Sequence, residues 1–196
     1  GKRFLRGAEE DERGRQVAGV SFSMIYPANG VTLDSDSALL VTGLNTVDAI
    51  QQWQHHNATS SFYPAAVRVG YAPEKIIEEL RKYAIHTYPN GFQLDNPHGI
   101  ENSCTVANTL NEMACMSVGN KIRLFTVWPK AVDASFEKIR TWGAFLVSAS
   151  FKNGTVCGVT VFSEKGRSCT VVNPWKGKTV LLVRNGKPDK QLQGEE

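Results

Sequence analysis

The stretch Gly119-Asn120-Lys121-Ile122-Arg123-Leu124-Phe125-Thr126-Val127-Trp128 decides the architecture of this chain. Gly119-Asn120 is turn chemistry, and the run from Lys121 to Trp128 alternates polar and apolar, the period of a half-buried strand. Before this stretch the apolar residues recur at helical spacing, and after it they come in short strand-like runs. The order, helices first and strands second, predicts an α+β chain with a helical segment over residues 1–120 and an antiparallel β domain over 121–196.

Working upstream, Asp34-Ser35-Asp36-Ser37 offers several N-caps, and Leu40, Leu44 and Val47 follow at i, i+4 and i+7. A second helix is expected near Ser60-Ser61, with Pro64 in its first turn and Gly70 ending it. A third starts at Pro73, with Ile76, Ile77, Leu80, Tyr83 and Ala84 as its apolar face and a Glu78–Lys82 pair. Tyr88-Pro89-Asn90-Gly91 is a turn cluster. A fourth helix is expected from about Ser103 to Ser117, with Val106, Leu110 and Met113 inward.

Working downstream, Trp142–Lys152, Thr155–Ser163, Arg167–Asn173 and Thr179–Arg184 read as strands. Asn153-Gly154, Lys165-Gly166, Lys176-Gly177 and Asn185-Gly186 separate them, which predicts an antiparallel meander or sandwich. The polar tail from Asp189 is expected to fray.

Composition narrows the function classes. The chain has 196 residues, 41% hydrophobic and 21% charged, so it can bury a core and is not of disordered composition. Lys and Arg number 22 against 19 Asp and Glu, a surplus of +3 that predicts no nucleic-acid partner. No apolar run approaches the ~20 residues of a membrane span, so no membrane partner is expected. The chain opens Gly1-Lys2-Arg3 without Met, so an upstream segment removed before this point is compatible with the sequence.

Cys104, Cys115, Cys157 and Cys169 form no CxxC pair. Cys115 is expected on the apolar side of the fourth helix, and Cys157 and Cys169 in neighbouring strands. Buried free thiols are the main expectation, and a Cys157–Cys169 disulfide is the alternative. His55, His56, His86 and His98 fall in no metal-binding spacing, and no P-loop, GxGxxG or GxSxG is present, so neither a metal nor a cofactor is expected. Asn57-Ala58-Thr59 and Asn153-Gly154-Thr155 match glycosylation sequons.

The densest polar constellation is Phe92-Gln93-Leu94-Asp95-Asn96-Pro97-His98-Gly99-Ile100-Glu101-Asn102-Ser103, a loop feeding directly into a helix. A carboxylate at Glu101, near the helix N-terminus, would stay ionised and suit a base or charge stabiliser rather than a general acid. The competing reading makes Glu101, Asn102 and Ser103 capping residues and Asp95-Asn96-Pro97 an Asx-type turn. Trp53, Trp128, Trp142 and Trp175 are either core and strand-face residues or sugar platforms.

Five segments in order resemble the C-terminal part of glycoside hydrolase family 95, the inverting α-L-fucosidase family. They are Ile25-Tyr26-Pro27-Ala28-Asn29, Phe92-Gln93-Leu94-Asp95, Thr109-Leu110-Asn111-Glu112-Met113, Lys121 to Pro129, and Lys138 to Phe145. The resemblance implies part of an (α/α)6 barrel followed by a β-sandwich. In the family pattern the base-side carboxylate lies 11 positions before the Glu of the helix motif, the separation of Glu101 from Glu112; Asp95 lies 17 before it. Local match therefore favours Asp95 and helix register favours Glu101. These two are the candidate catalytic residues, and His98, Asn96, Asn102 and Trp142 the candidate substrate contacts.

Departures from the family bear on activity. The positions of its two substrate-binding histidines fall on Ala18 and Ser21. Its general acid lies in an upstream part that this chain does not contain. An inverting hydrolase needs both carboxyl groups, about 6.5–9.5 Å apart. Three readings follow: a partial glycoside hydrolase forming one side of a carbohydrate cleft, a noncatalytic carbohydrate-binding module presenting Trp142 or Trp175, or a structural domain that self-associates or docks on a missing upstream domain. An extracellular or periplasmic location is expected.

Overall fold

The computed structural model describes residues 1–4, 22–55 and 57–193. His56, Ala18, Ser21 and most of the charge-rich opening lie outside them. The fold is α+β, with four α-helices followed by eight strands among the described residues. It divides into two compact units, one comprising Gly1–Met113 with Val127–Pro129, the other Ala114–Thr126 with Lys130–Glu196.

In the first unit, α1 spans Ser37–Ile50, with Asp36 as N-cap accepting from Leu39 N–H. Helix α2 spans Thr59–Arg68 and buries eight of its ten residues, as expected of a helix apolar all round. Pro64 is its sixth residue, a turn further in than the sequence suggests. Gly43 lets α1 approach closely, since a Cβ there would lie 2.8 Å from Val69 Cγ1. Around α2 the rings of Phe22, Trp53, Phe62, Tyr63 and Tyr83 pack edge-on or tilted, with centroids 4.7–6.5 Å apart. Helix α3, Pro73–Ile85, starts on its proline and buries Ile76, Glu79, Leu80 and Tyr83. Ala84 is exposed, and its place on the buried face is taken by Glu79. The expected Glu78–Lys82 pair forms.

The fourth helix is shorter than its pattern suggests. A 3-10 turn, Ile100–Cys104, leads into α4, Thr105–Ala114. The buried residues are Thr105, Thr109, Met113 and Ala114, whereas Val106 is half-buried and Leu110 exposed. The threonines are admitted because they are satisfied: Thr109 Oγ1 donates to Thr105 O (2.6 Å), and Thr105 Oγ1 pairs with Thr59 Oγ1 (3.2 Å).

In the second unit, β1, Cys115–Val118, takes residues that the pattern assigns to helix. It pairs antiparallel with β2, Lys121–Leu124, across Gly119-Asn120, both at positive φ. Cys115 is therefore a buried strand residue. Strand β2 ends before the alternation does, because Phe125 takes φ 51°. A meander follows: β3, Ala134–Thr141; β4, Phe145–Lys152; β5, Thr155–Ser163. Strand β3 is absent from the sequence pattern, as only Phe136 and Ile139 punctuate a polar run. Phe145, Val147, Ala149 and Phe151 of β4 are buried in strict alternation, and Phe125, Phe136 and Phe151 cluster within 5.5 Å.

Of the expected strand Arg167–Asn173 only β6, Thr170–Val171, forms, and it pairs parallel to β2. Cys169 precedes it and is exposed, as is Cys104, and all four thiols are free. The Cys157–Cys169 disulfide does not form. Strand β7, Thr179–Arg184, turns at Asn185-Gly186 into β8, Lys187–Gln193, so the tail from Asp189 does not fray as its polarity predicts but is hydrogen-bonded as far as Gln193.

Candidate functional site

The polar loop of the first unit is tied to its neighbours by its own amides, of which Gln93 and Asn102 are buried. Gln93, 2% exposed, donates to Gln54 O (3.4 Å), and Asn96 Nδ2 donates to Asn57 Oδ1 (2.9 Å). Asn102 accepts from Thr59 Oγ1 at its side chain (3.3 Å) and from Tyr83 OH at its carbonyl (3.1 Å). At 1% exposure Asn102 has no surface with which to meet a ligand, so it is a junction between α2, α3 and the start of α4 rather than a substrate contact. Gly99 is closely packed here: a Cβ would lie 2.6 Å from Asn96 Nδ2 and 2.9 Å from Asn102 Nδ2, so these amides would have to shift to admit one.

Asp95, His98 and Glu101 lie on the outer side of this loop and are exposed. Backbone bonds close the turns, Asn96 N–H to Gln93 O and Gly99 N–H to Asn96 O (both 3.2 Å), and Asp95 lends no side-chain bond to them. Glu101 stands in the 3-10 turn, four residues ahead of α4. The 3-10 turn runs without a break into α4, so Glu101 lies in the first turn of the combined helix, at the N-terminal end that the sequence predicts. Trp142, in the second unit, is 74% exposed. Trp53 is buried, and Trp175 is half-buried with Nε1 donating to Val156 O (2.7 Å).

Beside the loop's anchor is a pocket of about 390 Å³ lined by Gln51, Gln52, Trp53, Gln54, His55 and Glu79. Trp53 Nε1 donates to Gln51 Oε1 (2.9 Å), and Gln54 Nε2 donates to Glu79 O (3.2 Å). Burial pulls the Glu79 carboxyl upward, but bonds from Lys75 (2.8 Å), Lys82 (2.8 Å) and Gln54 outweigh it and hold it below the usual carboxylate range. Glu79 is thus an anion at neutral pH and cannot serve as a general acid. Burial, with Glu79 and Tyr83 nearby, pushes the Tyr63 hydroxyl up, so it stays neutral.

The most fully built polar cluster centres on Arg68, a residue the sequence pattern does not single out. Arg68, the last residue of α2, donates from Nε to Glu112 Oε2 (3.2 Å) and from Nη2 to Glu112 Oε1 (2.8 Å). Its Nη1 bonds Asn29 Oδ1, and its guanidinium lies 4.5 Å from the centroid of the Tyr26 ring. Asn108 Nδ2 donates to Tyr26 OH (3.0 Å). The only signal was an Arg closing the apolar run Ala65-Ala66-Val67. Among the described residues no group of three His, Cys, Asp or Glu could hold a metal ion, and no helix is long and apolar enough to cross a membrane.

These features define an α+β protein with an exposed acidic loop on amide anchors. No protein-family model matches the chain, and a search of curated proteins finds no relative.

Proposed function

We propose that this chain is a partial glycoside hydrolase, similar to the C-terminal part of the inverting α-L-fucosidase family, that contributes one side of a carbohydrate cleft. In this reading the four helices are part of an (α/α)6 barrel and the strands are the β-sandwich that trails it. One observation carries it: Tyr26 and Asn29 of one family-like segment and Glu112 of another meet on the single guanidinium of Arg68. Segments that resemble a family only as strings thus share one packing contact. Asp95 and Glu101 are the candidate base-side carboxylates, and His98 and Asn96 flank them on the same loop. Glu79 is held ionised, so the general acid comes from another segment or partner. The proposed location is extracellular or periplasmic.

The test is turnover of aryl α-L-fucosides and binding of fucosylated glycans by the chain. Binding without turnover, lost in Asp95→Asn or Glu101→Gln, supports the reading. Turnover abolished by Glu101→Gln would refute the missing acid, and no glycan binding at all would refute the cleft. Trp142 favours a second reading, a noncatalytic carbohydrate-binding module, since its ring is 74% exposed. Glycan binding lost in Trp142→Ala but kept in Glu101→Gln would select it.

A further inference from the structure

Three glutamines in five residues, Gln51-Gln52-Trp53-Gln54-His55, follow α1, and the polar loop of residues 92–103 makes no use of them beyond one anchor at Gln54. Gln51 ends the helix at φ 49°, and its N–H closes on Val47 O (3.1 Å). With Glu79 of α3 this segment lines the pocket of about 390 Å³. Such a volume lies within the roughly 300–1,000 Å³ of small-molecule sites and far exceeds the ~30 Å³ share of one water. The walls are fixed by their own contacts. Trp53 Nε1 is tied to Gln51, and its ring packs on Phe62, Tyr63 and Tyr71 with centroids 4.7–5.6 Å apart. Gln54 is tied to Glu79 on one side and to Gln93 on the other.

Unmet polar groups concentrate at this pocket. Four buried side-chain oxygens have no hydrogen-bond partner among the described residues, and three of them belong to its wall or to side chains touching it. Gln52, 3% exposed, lines the pocket and leaves Oε1 without a donor. Gln93 Oε1 is unmet on the side chain whose Nε2 reaches Gln54 O. The third is the hydroxyl of Tyr63, whose ring lies 5.2 Å from that of Trp53 and which is near enough to Glu79 to feel its charge. A buried acceptor left unmet destabilises a fold, so a cluster of them marks a place where a ligand supplies donors.

The charge at the pocket selects the charge of its ligand. Glu79 Oε1 already accepts from Lys75 and Lys82 (both 2.8 Å), while Oε2 accepts from Gln54 Nε2 at only 3.4 Å. An ammonium ligand would meet those two lysines, and a carboxylate or phosphate would bring acceptors where acceptors are already in excess. A hydroxyl brings a donor and no charge. We infer that this pocket binds a neutral monosaccharide unit, held by hydroxyls that donate to Gln52 Oε1 and Glu79 Oε2. The terminal torsion of a glutamine is broad, so the Gln52 amide turns to meet a ligand donor at little cost. The choice of a sugar among hydroxylated ligands rests on the carbohydrate reading, but the pocket is lined by neither Asp95 nor Glu101.

The experiment is a saturation-transfer NMR titration of the full chain with D-glucose, D-galactose and L-fucose, set against D-glucuronate and D-glucosamine, which place one charge on the glucose ring. Binding of at least one neutral sugar, at least ~3-fold tighter than either charged one, is expected. Gln52→Leu should weaken it at least ~3-fold while leaving Tm equal or higher, because it removes an unmet acceptor at nearly constant shape. Asp95→Asn and Glu101→Gln should leave monosaccharide binding unchanged. No binding of any neutral sugar, preference for a charged one, binding that survives Gln52→Leu, or a lower Tm in that variant overturns the inference. Monosaccharide binding lost in Glu101→Gln places the sugar on the loop and overturns it too. Loop-dependent binding of fucosylated glycans with no effect of Gln52→Leu overturns this pocket and leaves the cleft standing, so the two readings fail separately.

Discussion

Removing the Glu112 carboxylate should destabilise the helical unit more than any single change in its polar loop. The pair it forms with Arg68 is bidentate, and the two side chains are only 8% and 14% exposed. Charge-assisted bonds of this kind are worth about 1.5–3 kcal/mol each. Breaking a buried pair from one side costs about 3–5 kcal/mol, because the surviving charge is stranded. In Glu112→Ala the guanidinium keeps Asn29 and the Tyr26 ring, neither of which is a counter-charge. A loss of about 3–4 kcal/mol is expected, a large share of the ~5–15 kcal/mol that holds a domain folded.

The double replacement Arg68→Met with Glu112→Leu should recover most of that loss, since no stranded charge remains. Urea unfolding followed by the fluorescence of Trp53, which packs 4.7 Å from Phe62 of α2, reads the right unit. A Glu112→Ala loss below about 1 kcal/mol would refute the stranded-charge argument. So would a double variant no more stable than the single one.

Asp95→Asn and Glu101→Gln remove exposed carboxylates and should leave stability within about 0.5 kcal/mol by the same assay. Gly99→Ala should cost about 1–3 kcal/mol by displacing Asn96 and Asn102, and any glycan binding by the loop should fall with it. Gly43→Val should cost at least as much, because a Cβ already meets Val69 Cγ1 at 2.8 Å; thermal denaturation reads it. The Glu79 carboxyl is depressed in the folded state, so its contribution is full above the unfolded value and disappears as pH falls through the folded one. Stability of the parent should therefore drop below about pH 4, and Glu79→Gln should flatten that drop in acid titration.

Local chemistry determined much of this fold. Asp36 before an apolar period fixed the start of α1, Pro73 the start of α3, and Asn153-Gly154 and Asn185-Gly186 the hairpin turns. Thr155–Ser163 and Thr179–Arg184 form strands with the bounds their patterns imply. Such signals are legible because capping and turn conformations depend on a few adjacent residues. The polar loop was legible as a loop for the same reason. Which of its residues face outward was not: Asn96, Asn102 and Gln93 look alike as a string, and only their partners on α2, α3 and residues 54–57 decide that Asn102 and Gln93 turn inward.

Tertiary structure decided what alternation and composition left open. Residues Cys115–Val118 lie in a run that could continue a helix, and it is pairing with Lys121–Leu124 that makes them a strand. Strand β3 is polar by sequence and exists because β4 offers it a ladder. The Arg68–Glu112 pair joins residues 44 apart, a distance at which periodicity carries no information. Sequence by itself fixed the succession of helices and strands, since propensity, caps and turns act over a few residues. The buried faces, the strand partners and the meeting of Tyr26, Asn29 and Glu112 on one guanidinium were set by long-range burial, where each polar group must find its partner before it can leave water.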